Sequence, residues 1–164
     1  MVAAFFRRFS EDNADNYNLV HVTLSGILDT EAARDCFKVR DTVRRNCGLV
    51  TRAAQFARGR TLDRHCAEAL ERVWRHAGLG ELAEQLSLSV NKTSAMVRRW
   101  LRSMEGVHDF MRLARVVRDC VECNPCQVDR LQLDNLNEDC WRLVRRYLML
   151  GDVREPAESA TLID

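Results

Sequence analysis

Glycine and proline are scarce in this chain, which has only seven glycines and two prolines among its 164 residues. A β-sandwich or β-barrel needs many tight turns, and tight turns draw heavily on these two residues. The sequence also lacks an uncharged apolar stretch of about 18 residues, the minimum for a membrane-spanning helix. These absences argue against an all-β fold and against a membrane span.

Motifs typical of enzymes are also missing. The chain has no Gly-x-Ser-x-Gly, no glycine-rich phosphate loop and no His-Glu-x-x-His. Its four histidines stand apart from any nucleophile pattern, and Glu68/Arg72 and Glu71/Arg75 have the spacing of solvated ion pairs on a helix surface. We therefore expect a protein that is not an enzyme, with no cofactor unless it holds one structural zinc.

A secretory leader is not apparent either. Such a leader starts with basic residues and continues with an apolar run, whereas this chain opens with a short apolar run that precedes its first arginines. The seven cysteines are an odd number, which fits poorly with a closed disulfide framework. The sequence predicts an intracellular protein of the cytoplasm or nucleus, not a secreted one, with reduced cysteines.

Apolar residues make up 46% of the chain and charged residues 30%, a balance typical of globular domains. Helical periodicity dominates, and it predicts a single-domain, all-α bundle of six or seven helices. We expect an irregular or partly extended segment at 1–28, the bundle at 29–151 and a mobile acidic tail at 152–164. The expected helices cover residues 29–48, 49–57, 61–78, 81–86, 90–104, 107–120 and a last one from Asn135 or Asn137 to Gly151.

Arginine greatly outnumbers lysine, with 23 residues against two. Residues 41–120 contain fifteen basic and nine acidic side chains, whereas both ends of the chain are acidic. This basic centre indicates either a nucleic-acid footprint or charge complementarity within a helical bundle. The use of arginine even on solvated helix faces favours a G+C-rich genome, and the seven cysteines favour a virus or its eukaryotic host.

A helix-turn-helix plan is visible between residues 82 and 102, where a short helix, a polar turn and an arginine-bearing second helix follow one another. The turn lacks its usual glycine, and the spacing from Ala83 to Val97 is longer than usual, so an ordinary helical hairpin is the alternative. In the nucleic-acid-binding interpretation, phosphates would be met by Arg44, Arg45, Arg98, Arg99 and Arg102, with further help from Arg52, Arg58, Arg60 and Arg64.

Cysteines cluster at residues 120–126, where three of them are spaced by three residues around Asn124-Pro125. Thiolates at this spacing can bind Zn²⁺, with Cys140, Cys66 or His108 as a fourth ligand. A second Cys-x-x-Cys pair is absent, so packed thiols at a helix end and a redox role remain alternatives. The metal hypothesis is a zinc-stabilised structural or assembly protein that uses Cys120, Cys123, Cys126 and Cys140.

The expected core face of the last predicted helix consists of Leu136, Cys140, Leu143, Val144, Tyr147 and Leu148. In the same helix, Tyr147-Leu148-Met149-Leu150-Gly151-Asp152, with Leu143 one turn earlier, has the outline of an apolar helix face closed by Gly-Asp. This outline resembles the short homology-motif helix of the Bcl-2 family, and residues 107–113 resemble one helix of divergent viral members. The family's Asn-Trp-Gly-Arg signature is not present. The resemblance implies a Bcl-2-like architecture and a protein that regulates cell death or innate signalling.

The first functional hypothesis is therefore a protein–protein interaction module, in which a groove between helices binds a helix of another protein. We expect the groove to be lined by large side chains on three of the predicted helices, namely Trp100, Phe110, Leu113 and Tyr147.

Overall fold

Six α-helices and one 3₁₀ helix make up the described part of the chain, and no strand occurs there. The computed structural model describes residues 16–23, 30–122, 133 and 136–154. The helices are α1 (Thr30–Ala57), α2 (Arg64–Arg75), α3 (Leu79–Leu86), α4 (Val90–Ser103), α5 (Val107–Leu113), α6 (Glu138–Arg145) and the 3₁₀ helix Leu150–Asp152. This confirms the predicted all-α bundle. No described helix has both the length and the apolar character that a membrane crossing requires.

Helix α1 is continuous through Gly48, where the sequence predicted a break between two helices. A glycine inside a helix costs only about 1 kcal/mol relative to alanine, which is too little to end a helix that packs well. On both sides of Gly48 the helix buries one face, which includes Val39, Asn46, Val50 and Ala53. Tertiary packing therefore overrides the local signal at this position.

The main core lies where the second half of α1 packs along α2. Alanines at the contact, including Ala53, Ala54, Ala67 and Ala69, are almost completely buried, and such small side chains let two helices approach closely. Around this seam the core contains Leu70, Leu82, Val97, Phe110, Trp141 and Leu150, which come from the remaining helices. The later elements thus cover the α1–α2 pair from its sides.

Helix starts follow local capping chemistry. Asp63 caps α2, which therefore starts later than the predicted helix at 61–78, and the Asp63 carboxylate accepts a hydrogen bond from the Cys66 amide at 2.9 Å. Burial is the largest single influence on the pKa of Asp63 and raises it, but the interactions with Cys66 and His65 together hold the pKa below its ordinary value. Ser89 caps α4 and Asn137 caps α6 in the same manner.

The two helices predicted at 107–120 and at 135–151 are both shorter in the structure. Helix α5 ends at Leu113, and Arg115 then adopts a left-handed conformation with φ of 61°. Helix α6 ends at Arg145, whose side chain donates to the Leu148 carbonyl just beyond the helix. The predicted inward face of the last helix is therefore wrong for Leu143, Val144 and Tyr147, which are exposed.

A buried arginine holds the C-terminal end of the described chain against the bundle. The Arg64 guanidinium donates to the carbonyl oxygens of Ala114, at 2.8 Å, and of Leu150 and Val153. A buried guanidinium needs acceptors for its fixed fork of donors, and these main-chain groups supply them. Arg64 is thus a structural residue rather than part of the predicted nucleic-acid surface.

Residues 16–23 form an extended segment that packs beside α1 and α2. The buried Asn46 amide donates to the Asn16 carbonyl at 3.0 Å and to the Leu19 carbonyl at 2.7 Å. The Tyr17 ring lies between the guanidiniums of Arg45 and Arg72, at 4.7 and 4.9 Å from their central carbons. The described residues of this segment form neither a helix nor a strand.

Candidate functional site

Helices α3 and α4 form a short helical hairpin with a turn at residues 87–89. Ser87 adopts the left-handed conformation, with φ of 55°, at the point where such turns usually carry glycine. Ala83 in α3 and Thr93 and Val97 in α4 face the interior and are buried. Thr93 is therefore an inward-facing residue of α4, and it lies closer to Ala83 in sequence than Val97 does. The long spacing from Ala83 to Val97 that weakened the helix-turn-helix interpretation is thus not the only spacing between buried residues of the two helices.

Side chains from α1 fix the position of this hairpin. Arg58 donates to the Gln85 carbonyl at the end of α3, and the Gln85 side chain donates to the Thr51 hydroxyl at 3.2 Å. On α4, the Trp100 indole donates to the Ala57 carbonyl at 3.2 Å, and its ring meets Phe56 edge to face at 5.1 Å. The hairpin is therefore attached to the C-terminal end of α1 at both of its helices.

The outer face of α4 is basic. The helix contains Lys92, Arg98, Arg99 and Arg102 but no acidic residue, and all four basic side chains are exposed. None of them forms an ion pair with another described residue. Arg98 is oriented by a cation–π contact, since its guanidinium carbon lies 5.5 Å from the Trp74 ring centroid. The face can thus neutralise an anionic partner without first breaking a salt bridge.

Two of the predicted arginines outside α4, Arg44 and Arg45, already have partners. Arg44 is exposed and lies 3.6 Å from the Asp41 carboxylate. Arg45 is half-buried and donates to the Asn16 carbonyl and the Asn46 side chain. Of the predicted nucleic-acid contacts, the structure therefore brings Arg98, Arg99 and Arg102 onto one exposed helix, while Arg45 supports the extended N-terminal segment.

The four residues predicted to bind a partner helix do not share a surface. Phe110 is completely buried, with its ring centroid 5.7 Å from that of Trp141. Trp100 and Leu113 are half-buried, and the Trp100 indole is bonded to α1. Tyr147 alone of the four is fully exposed, with 85% of its surface accessible. Phe110 therefore stabilises the core, and Tyr147 stands beside Leu143 and Val144, which are also exposed.

The cysteine cluster is only partly within the described residues, because Cys123 and Cys126 lie outside them. Cys120 and Cys140 are exposed, and the Cys120 thiol donates to the Glu122 carboxylate, which raises the pKa of the thiol. His108 is close by, since its Nδ1 accepts a hydrogen bond from the Val121 amide at 3.1 Å. Within the described ranges, no three histidine, cysteine or acidic side chains are placed to hold a metal. The zinc site stays a prediction.

Sequence reasoning missed a cleft of about 350 Å³ between α2, the end of α4 and α6. At its base, Glu71 forms a buried ion pair with Arg145 and not the solvated pair with Arg75 that the spacing predicted. The predicted pair of Glu68 and Arg72 is present, at 2.9 Å. Nothing in the spacing of Glu71 could have indicated a partner 74 residues away, because the pairing depends on how α6 packs on α2.

Comparisons of the chain with models of protein families, with curated proteins and with solved structures found no match. The class defined by the fold and the site is an all-α protein with a short helical hairpin whose second helix has exposed basic residues. The Bcl-2-like architecture remains a prediction from the sequence.

Proposed function

We propose that the protein is a nucleic-acid-binding regulator that uses the α3–α4 hairpin to bind double-stranded DNA. The observation that carries the proposal is the exposed face of α4, which has no acidic side chain and whose four cations form no ion pair with another described residue. In helix-turn-helix proteins the second helix enters the major groove, and cations on and around it bind phosphates. The α1 anchors on Gln85 and Trp100 support this role, because a helix that enters a groove must be held rigidly.

The length of the turn also supports the proposal. Residues 87–89 link the two helices, which matches the three to four residues typical of this motif. Ser87 takes the left-handed conformation in place of glycine at a cost of about 1 kcal/mol, which the buried contacts of Ala83 and Thr93 can offset. The missing glycine that weakened the sequence argument therefore does not prevent this turn.

The test is the salt dependence of DNA binding by the full chain. Wild-type protein is expected to bind duplex DNA with an affinity that falls steeply as salt rises. Each phosphate contact makes the slope of log affinity against log salt more negative by about 0.9. Arg98→Ala, Arg99→Ala and Arg102→Ala together should therefore make the slope less steep by about 2 to 3.

A matched control removes the same number of charges elsewhere. Arg34, Lys38 and Arg40 are exposed on the first half of α1, and their combined change to alanine should leave the salt slope close to that of the wild type. Elution of the wild-type protein from DNA at low salt would contradict the proposal. An equal loss of binding in both triple variants would also contradict it, since only overall charge would then matter.

A second candidate is the protein–protein interaction module that the sequence first suggested, and one observation favours it. Leu143, Val144 and Tyr147 expose apolar surface at and just beyond the end of α6. Leu143 and Tyr147 are spaced by four residues, which is the spacing of anchors between amphipathic helices. On this proposal the partner is a helix of another protein in a cell-death or innate-signalling pathway.

The corresponding experiment measures binding of synthetic helices from cell-death regulators and signalling adaptors. Leu143→Ser with Tyr147→Ser should weaken binding by about tenfold or more, because anchors of this kind contribute over 1 kcal/mol each. Val116→Ser removes an exposed apolar side chain outside this surface and should have no effect. Absence of binding across the whole panel would contradict the candidate.

A further inference from the structure

The cleft between α2, the end of α4 and α6 has the chemistry of a small-molecule site. Its volume of about 350 Å³ is at the lower end of the range for ligand pockets. Trp74 from α2 and Leu101 from α4 supply an apolar wall, and Arg98 stacks on the Trp74 ring and so fixes its position. The other side chains that line the cleft are charged, and four of them are arginines.

Two of these four arginines are already neutralised. Arg145 forms an ion pair with Glu71, and the second Glu71 oxygen accepts from the Leu150 amide at 2.9 Å. Arg142 lies 2.7 Å from the Glu138 carboxylate and 3.4 Å from that of Asp139. Arg145 therefore holds α6 on α2, Arg142 is paired within α6, and both leave little charge for a ligand.

The other two arginines, Arg75 and Arg146, have no carboxylate partner among the described residues. Both line the cleft, and the Arg75 guanidinium donates to the main-chain carbonyl oxygen of Arg146 at 3.4 Å. Glu105 is the one carboxylate of the lining that is left after the Glu71 pair. The cleft thus combines an apolar wall with two guanidiniums in its lining that form no ion pair with a described carboxylate.

We propose that this cleft binds a mononucleotide, with the base against Trp74 and Leu101 and the phosphate between Arg75 and Arg146. Guanidinium groups bind phosphate oxygens in pairs, and a planar base suits an aromatic wall. The volume limits the ligand to one nucleotide unit. The nucleotide is either a free nucleoside monophosphate or the 5′-phosphorylated end of a single strand. The proposal goes beyond the binding of duplex DNA by α4 and does not depend on it.

Calorimetric titration of the full chain with AMP, adenosine and inorganic phosphate tests the proposal. AMP is expected to bind saturably, and adenosine and phosphate to bind at least about tenfold more weakly, because each retains only part of the contacts. Arg75→Ala with Arg146→Ala should weaken AMP binding by about tenfold or more. Arg112→Ala, which removes an exposed arginine of α5, should leave it unchanged.

A second titration distinguishes the two sources. A 5′-phosphorylated single-stranded oligonucleotide that displaces AMP, while its dephosphorylated form does not, would assign the cleft to strand ends, and failure to displace would assign it to free nucleotides. No saturable AMP binding, or AMP binding that the double variant leaves intact, would overturn the proposal. So would phosphate binding as tightly as AMP, because the apolar wall would then play no part. The α4 proposal does not involve Arg75 or Arg146. Measuring how the Arg75/Arg146 double variant binds duplex DNA therefore tests the α4 proposal separately from the cleft.

Discussion

Glu71 and Arg145 form an ion pair that is almost fully shielded from solvent, with 3% and 11% of the two side chains exposed. The pair joins α2 to the end of α6, and Glu71 also binds the Leu150 amide at 2.9 Å. Arg145 in turn packs over Phe110, 4.3 Å from the ring centroid. The Glu71 carboxylate therefore fixes both α6 and the 3₁₀ helix on the bundle. These contacts also fix the base of the cleft.

Removal of one partner of this pair should be strongly destabilising. Glu71→Ala leaves the Arg145 charge buried without a partner, so the free energy of unfolding should fall by about 3 to 5 kcal/mol in urea denaturation. The double variant Glu71→Leu/Arg145→Met should recover much of this loss, because no buried charge then remains. Glu138→Ala breaks an exposed pair and should change stability by less than about 1 kcal/mol. Similar losses for Glu71→Ala and Glu138→Ala would contradict the role given to the buried pair.

Asn46 should control the attachment of the extended segment at 16–23. Asn46→Asp keeps the shape of the side chain but removes the donors to the Asn16 and Leu19 carbonyls. The Asn16 carbonyl keeps its hydrogen bond from Arg45, but the Leu19 carbonyl loses its donor from Asn46. A buried acceptor left unsatisfied costs about 1 to 3 kcal/mol, so the segment should detach more often. Chymotrypsin should then cleave after Tyr17 at least several times faster than in the wild type. Asn91→Asp, at an exposed position of α4, should leave the cleavage rate unchanged.

Ser87→Gly should stabilise the protein, because glycine adopts the left-handed conformation of this turn without steric strain. The expected gain in the free energy of unfolding is up to about 1 kcal/mol, obtained from the midpoint and slope of the urea unfolding curve. Ser94→Gly places the same substitution inside α4, where it should destabilise by about 0.5 to 1 kcal/mol. A loss of stability from Ser87→Gly would show that the serine side chain makes a contact that outweighs the strain.

The contribution of Asp63 should depend on pH. At neutral pH, Asp63→Ala removes the cap of α2 and should cost about 1 kcal/mol. Because the pKa of Asp63 is lowered in the folded state, its ionic contribution is complete above the ordinary aspartate pKa of about 4 and is lost as pH falls through the folded pKa. The stability difference between wild type and Asp63→Ala should therefore narrow as pH falls from about 4 through the lowered pKa of Asp63.

Asp63→Asn is the matched control for this prediction. It keeps an oxygen that can accept a hydrogen bond from the Cys66 amide but has no charge to titrate. The difference in stability between Asp63→Asn and Asp63→Ala should therefore stay constant over the same pH range. If the stability difference between wild type and Asp63→Ala were equally independent of pH, the charge of Asp63 would not contribute to the cap, and the prediction would be contradicted.

Local patterns in the sequence were enough for much of the fold. Apolar residues at helical spacing predicted α3 and α4 closely, and Asn137 was correctly identified as one of two possible caps of α6. These predictions succeeded because capping and amphipathic spacing act over a few neighbouring residues. The break expected at Gly48 was wrong because long-range packing of α1 on α2 outweighed a local preference of about 1 kcal/mol.

In the candidate sites, too, some features could be predicted from the local sequence and others depended on the tertiary structure. The basic character of α4 follows from its own fourteen residues, which contain four basic side chains and no acidic one. Its exposure, and the burial of Phe110, Arg64 and Glu71, were decided by the tertiary structure, because each of these three side chains contacts residues far away in the chain. The sequence by itself determined which segments are helical, and packing between distant helices determined which of their side chains remain free to bind.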